Sequence, residues 1–213
     1  MLTKKNLRLY QTAMVQIIKK KSHVLLAVDM GLGKTISVLT AIRELLDEMN
    51  LGKVLIVSPL LVAKNTWPNE IKGWEHTQVL SYSVIVGDQH ERIQALRKDV
   101  DIYIINKENL PWLYNYFVVK RKLQAKDDKS PIFPFDMLVI DEAHCISDWG
   151  HDFRPHYRLL ERIVTTLPPN LRLLATTATA NNRVMEDLAT VLGPKLNVSR
   201  GDLNRRSLTL QTI

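Results

Sequence analysis

A single cysteine, Cys145, stands in the whole chain, so an internal disulfide framework is excluded and no set of thiols exists at the spacing of a zinc site. A reducing compartment fits that economy. Long apolar runs are also missing. The fullest ones, over residues 23–28 and 54–57, are strand-sized and far below the roughly 20 residues that span a bilayer. The opening Met1-Leu2-Thr3-Lys4-Lys5 has no signal-peptide core. The expected setting is therefore the cytoplasm, near the nucleoid, with no membrane partner. Acidic residues are outnumbered, 22 against 29 Lys and Arg, and the resulting net charge of +7 favours polyanions such as nucleic acid.

What remains is an ordinary globular composition. With 213 residues, 46% of them apolar and 24% charged, the chain suits one domain with a real core. Short apolar, β-branched runs alternate with longer amphipathic stretches. Strands are expected over residues 23–28, 53–58, 82–86, 101–105, 136–141, 170–175 and 196–199. Helices are expected over 7–20, 35–49, 62–74, 89–98, 108–119, 155–166 and 181–192. This is the pattern of an α/β protein with a mostly parallel sheet and helices on both faces. Residues 120–130, charged and followed by Pro131 and Pro134, read as an exposed loop or insertion.

The first strand runs into Met30-Gly31-Leu32-Gly33-Lys34-Thr35 and then into a helix, the context of a phosphate-binding loop. Gly31 and Gly33 permit a backbone that a Cβ would forbid, so amides of the loop, Leu32 included, converge on phosphate oxygens at a helix N-terminus. Lys34 is placed to reach the β and γ phosphates, and the Thr35 hydroxyl to ligate Mg²⁺. ATP and Mg²⁺ are the cofactors such a loop serves. A full Walker A would carry glycine where this chain has Val28, which favours the shorter loop of helicases over that of a small kinase.

The strand at 136–140 ends in Asp141-Glu142-Ala143-His144. Carboxylates at a strand's C-terminal end stand where open α/β sheets bind ligands. Asp141 is expected to hold Mg²⁺ through water, and Glu142 to orient and deprotonate the attacking water. His144 reads as a hydrogen-bonded coupler between the nucleotide site and other motifs. His144, His151 and His156 lack thiols at zinc-ligand spacing. Loop and acidic tip are expected to face each other from adjoining strands.

The fifteen residues from Asp141 to Pro155, Asp-Glu-Ala-His-Cys-Ile-Ser-Asp-Trp-Gly-His-Asp-Phe-Arg-Pro, closely resemble the RecQ family of superfamily 2 DNA helicases. That resemblance implies that Trp149, His151, Phe153 and Arg154 form an aromatic-rich loop that senses single-stranded DNA and relays its presence to hydrolysis. Base stacking on such rings is worth about 1–3 kcal/mol per base. Ala175-Thr176-Thr177-Ala178-Thr179-Ala180 is similar to the RecQ motif that links hydrolysis to strand separation. Thr177 and Thr179 there either bond the carboxylate motif or cap the helix that follows.

The front half leans elsewhere. Leu7 to Gln11, Asp29 to Thr35, Ser58-Pro59-Leu60 with Trp67, Glu70 to Trp74, and Asp101 to Asn106 with Glu108 resemble Swi/Snf-type duplex-DNA translocases. In both families a glutamine matching Gln11 reads the adenine edge. Lys107 and Arg154 are further candidates for backbone contact.

Together the resemblances imply one RecA-like ATP-binding domain over residues 1–213. It would be the first of two motor domains, the second being absent from this chain and supplied in cis or in trans. The implied activity is ATP-dependent DNA unwinding of the RecQ type, in repair or recombination, with feeble hydrolysis in isolation. The alternatives are duplex translocation of the Swi/Snf type and a non-catalytic module that binds nucleotide or DNA without turnover.

Overall fold

The computed structural model of the protein describes residues 1–123, 133–144, 170–178, 181–193 and 195–200, with residues 118–123 and 200 described as backbone. Seven strands make one sheet: β1 (His23–Ala27), β2 (Val54–Ser58), β3 (Tyr82–Ile85), β4 (Ile102–Asn106), β5 (Met137–Ile140), β6 (Arg172–Thr177) and β7 (Asn197–Arg200). Their spatial order is β3-β4-β2-β5-β6-β1-β7, and every pairing is parallel. Among the described residues the α-helices are α1 (Leu9–Lys20), α2 (Lys34–Asp47), α3 (Trp67–Gly73), α4 (Gln89–Arg97), α5 (Leu110–Leu123) and α6 (Asn182–Leu192).

Alternation along the strands explains the layering. Val54, Ile56, Ile102, Ile104, Val139, Leu174, Val24 and Leu26 point to one face, where they pack with Met14 and Ile18 of α1, Leu39 and Ile42 of α2, and Trp67 and Ile71 of α3. Their neighbours Leu55, Val57, Tyr103, Ile105, Leu138, Ile140, Leu173 and Ala175 point to the other. There they meet Ala95 of α4, Leu110, Leu113 and Phe117 of α5, and Leu188 and Val191 of α6. Both faces are covered, so β2, β4 and β5 are buried from end to end and need no polar alternation.

The seven strands match the sequence reading, but several helices differ from it. Residues 120–123, expected in a loop, continue α5 in helical conformation, and residues 124–130 lie outside the described residues. The helix expected to open at Glu108 opens with a 3₁₀ turn, Lys107–Asn109, before α5. The stretch expected as one helix over 62–74 contains a π segment, Val62–Thr66, ahead of α3. Pro68 accounts for it, since its ring would crowd the carbonyl four residues back in a plain helix and it has no N–H to offer. Widening the turn moves the bond, and the Trp67 N–H donates to Val62 O, five residues back. The helix expected over 155–166 falls outside the described residues.

The outer side of α2 is tied to α1 and to the N-terminal segment. Glu44 accepts Lys4 Nζ and Lys19 Nζ, each at 2.7 Å, and Lys19 also reaches Glu48 at 2.5 Å. Partial burial pushes the Glu44 carboxyl upward, but hydrogen bonds and charge from Lys19 and Lys4 together outweigh it and leave the pKa below its usual value. Nearby, Thr40 Oγ1 donates to Ile36 O at 2.8 Å and lies 2.8 Å from His76 Nε2. With that hydroxyl hydrogen committed, His76 must be the donor through Nε2, which leaves a bare, buried Nδ1 without a partner. Burial, with Lys4 adding to it, pushes the His76 pKa down.

Candidate nucleotide site

At the C-terminal end of β1 the chain leaves the sheet as Val28, whose N–H donates to Thr177 O of β6 at 3.0 Å. The loop that follows turns on two left-handed glycines, Gly31 at φ 74° and Gly33 at φ 73°. Gly33 is also the N-cap of α2, so its conformation aims the unpaired amides of the first helical turn outward. No side chain fits at Gly33, because an added Cβ would lie 2.1 Å from Gln11 Nε2.

Gln11, 8% exposed, is buried against that loop rather than left at a helix surface. Its Nε2 donates to Leu32 O at 3.3 Å, and its Oε1 accepts the Arg8 N–H at 2.8 Å. Two of the four hydrogen-bonding positions of the amide are thus occupied, which leaves one donor and one acceptor position. Leu32 contributes main chain only, its side chain being buried in the core. Lys34 opens α2, and its Nζ donates to Val28 O at 2.8 Å and Asp29 O at 3.2 Å. An ammonium has three N–H donors, so one remains for a phosphate oxygen. Thr35 follows on the same first turn.

The acidic tip is fixed by backbone on both sides. The Asp141 N–H donates to Val57 O of β2 and the Ala143 N–H to Thr176 O of β6, both at 2.8 Å. The Asp141 carboxylate takes three donors. Oδ1 accepts Thr176 Oγ1 at 2.7 Å and the Glu142 N–H at 3.1 Å, while Oδ2 accepts Trp67 Nε1 at 3.0 Å. Glu142 itself is in left-handed conformation at φ 52°, which a non-glycine residue holds only when its surroundings enforce it. Its Oε2 is buried without a hydrogen bond and lies 3.2 Å from His144 Nδ1. That nitrogen is 3.3 Å from Thr177 Oγ1.

One expectation needs correction. Loop and acidic tip do not come from adjoining strands, because β6 lies between β1 and β5. Two inter-strand spacings, roughly 10 Å, separate the strands, which is room for a triphosphate and hydrated metal rather than for direct contact. β6 bridges the interval with two consecutive threonines, Thr176 bonding Asp141 on the α1–α3 face and Thr177 approaching His144 from the other. Thr177, expected as a coupling residue, lies within 3.3 Å of His144 Nδ1. The cap of α6 is supplied by Asn181, whose side chain accepts the Val184 N–H at 2.8 Å. Thr179, Trp149, His151, Phe153 and Arg154 lie outside the described residues.

Thr176 and Trp67 join the site through Asp141, although no sequence motif marks them as its partners. For Thr176 the signal was present, since strand alternation puts it on the face of Leu174 and Leu26, with α2. For Trp67 only Pro68 hinted at the altered helix geometry that directs its indole.

The donor set suits a magnesium nucleotide. Mg²⁺ keeps several waters and takes one or two carboxylates or hydroxyls with phosphate oxygens. One hydroxyl, Thr35, and one carboxylate with a position still open meet that requirement.

Comparisons with known proteins agree in direction. A family profile described as DEAD/DEAH box helicase matches residues 8–188. The chain is similar to ATP-dependent DNA helicase Q-like 4B of Arabidopsis thaliana, 33% identical over 162 residues, which cover 74% of this chain and 14% of that protein. It is also similar to the probable ATP-dependent DNA helicase RecS of Bacillus subtilis, 33% identical over 145 residues, 66% of this chain and 26% of that protein. The chain therefore spans about a quarter or less of the length of these two helicases. Among solved structures, the SWI2/SNF2 ATPase core of Sulfolobus solfataricus in complex with dsDNA superposes with a TM-score of 0.59 at 21% identity, covering 92% of this chain and 44% of that one. At that identity the likeness speaks for the fold.

Proposed function

The chain belongs to the DEAD/DEAH box helicase family, and from that premise we propose that it is the ATP-binding motor domain of a RecQ-type DNA helicase, coupling hydrolysis of Mg-ATP to DNA unwinding. One observation carries the reading. Lys34 and Asp141 both follow the C-terminal ends of their parallel strands, β1 and β5, each immobilised by protein partners and each with one hydrogen-bonding position left open.

In this reading Gly31, Leu32, Gly33 and the first turn of α2 hold the phosphates through backbone amides, and Lys34 meets the β and γ phosphates. Gln11 offers its remaining donor and acceptor to the adenine edge. Thr35 and Asp141 hold Mg²⁺, which when bound neutralises phosphate charge and orients the γ-phosphate. Glu142 accepts the proton of the attacking water on its buried, unbonded Oε2, which suits a general base. His144 Nδ1 lies 3.2 Å from that carboxylate and 3.3 Å from Thr177 Oγ1 of β6, where it can couple the two. Trp149, His151, Phe153 and Arg154 carry DNA sensing by the RecQ resemblance, and the names of the helicase relatives support DNA as the polymer. A second RecA-like domain, in cis or in trans, supplies arginines worth about 10³–10⁵ in rate, so this chain alone turns over slowly.

DNA-stimulated ATPase measured with and without Glu142→Gln tests the proposal. Loss of stimulated turnover with nucleotide binding retained is expected. Indifference to the substitution would favour a binding module, and several turnovers per second from the isolated chain would contradict the need for a second domain. Duplex translocation of the Swi/Snf type is the second reading, favoured by the residues between Leu7 and Glu108. Stimulation by intact duplex without strand separation would select it.

A further inference from the structure

Trp67 is 1% exposed, and its indole N–H ends on Asp141 Oδ2 at 3.0 Å. Buried tryptophans commonly park that N–H on a backbone carbonyl; here it goes to the carboxylate at the strand tip. An ionised carboxylate has about four acceptor positions. Thr176 Oγ1 and the Glu142 N–H occupy both on Oδ1, and Trp67 occupies one on Oδ2. A single position on Oδ2 is left.

The helix geometry is specific to this contact. Trp67 follows the π segment Val62–Thr66 and precedes Pro68, so its place on α3 is set by a one-residue widening of the helix. In a plain helix each residue advances by about 100°, so removing the widening would turn the indole away from β5. Such widenings recur at functional positions because they re-aim a side chain at the cost of regular bonding.

We propose that Trp67 is a positioning residue of the nucleotide site, which orients the Asp141 carboxylate so that its one open position, on Oδ2, faces the water shell of the bound metal. The proposal rests on the Mg-nucleotide reading above. Indole nitrogen is a donor only, so this contact engages Oδ2 as an acceptor and fixes the rotation of the carboxylate. Thr176 acts on the other oxygen, and the two donors clamp the group from α3 and β6.

The test is titration of the full chain with a fluorescent ADP analogue, with and without Mg²⁺, for wild type and Trp67→Phe. In Trp67→Phe the affinity without metal should be unchanged, while the Mg²⁺ concentration for half-maximal enhancement should rise about tenfold, the usual cost of losing a partner of a metal ligand. A Mg²⁺-dependent wild type matched by Trp67→Phe overturns this proposal alone. A wild type indifferent to Mg²⁺ overturns the nucleotide reading with it. Should Trp67→Phe fail to fold, the assigned indole ¹⁵N–¹H resonance of Trp67 decides in nucleotide-free protein. It should move in Asp141→Asn, and an unmoved resonance refutes the contact.

Discussion

Gly33→Ala probes the point where helix α1, the phosphate loop and α2 meet. Two effects add. An alanine held at φ 73° is in the left-handed region, which costs about 1–2 kcal/mol. Its Cβ would also lie 2.1 Å from Gln11 Nε2, so the glutamine must swing away. That movement breaks the bonds to Leu32 O and from the Arg8 N–H, each worth about 0.5–1.5 kcal/mol. The total is roughly 3 kcal/mol, or about 10 °C in melting temperature for a domain of this size. The informative assay is a double-mutant cycle in urea with Gln11→Ala. With the amide already removed, Gly33→Ala should cost only the backbone part, about 1–2 kcal/mol, giving a coupling of about 1–2 kcal/mol. Equal cost of Gly33→Ala in both backgrounds would refute the idea that glycine is needed there to admit Gln11.

Other expectations concern groups that hold the domain together around the site. His76 has a lowered folded pKa, so its neutral form contributes stability that is present above the unfolded value near 6.5 and is lost as pH falls through the window below it. Melting temperatures of wild type and His76→Gln should differ most at pH 7.5 and converge toward pH 5.5; parallel profiles would contradict this. Glu44 also has a lowered pKa, so its ion pairs with Lys19 and Lys4 stabilise above the ordinary carboxylate range and fade as pH drops through the folded value. The stability gap between wild type and Glu44→Gln in urea should therefore close below about pH 4. Arg172 Nη2 donates its two hydrogens to Ile18 O and Lys19 O and lies 3.3 Å from Lys21 O, gathering carbonyls at the end of α1. Arg172→Met should cost about 2–3 kcal/mol by thermal or urea unfolding, with Arg172→Lys recovering part of it.

The strands were legible because a sheet covered on both faces demands unbroken apolar runs, and Val54 to Val57 or Ile102 to Ile105 have no competing helical period. The loop and acidic tip were legible because glycine conformation and strand-end placement are local properties. Strand order is not local, and nothing in the residues of β1 or β5 says that β6 will lie between them. Alternation alone sends Thr176 and Thr177 to opposite faces of β6, but that β5 and its acidic tip lie beside them follows only from the sheet order. Trp67 and Asp141 are separated by 74 residues, and their contact depends on a helix widening that periodicity cannot register. Residues 120–123 looked loop-like from charge alone, yet charged residues are good helix formers and the backbone of α5 continues through them.

The sheet order also sets a timetable for the growing chain. Strands β2, β4 and β3 can pair as soon as residue 106 has left the ribosome, because they are mutual neighbours encoded close together. β1 is made before any of them, yet both strands that flank it, β6 and β7, are encoded beyond residue 170. Until they emerge, the segment leading into the glycine loop has two open edges and no backbone partners. The earliest-synthesised strand is thus among the last to be enclosed, and a nascent chain halted before Arg172 carries its phosphate loop on an unpaired strand.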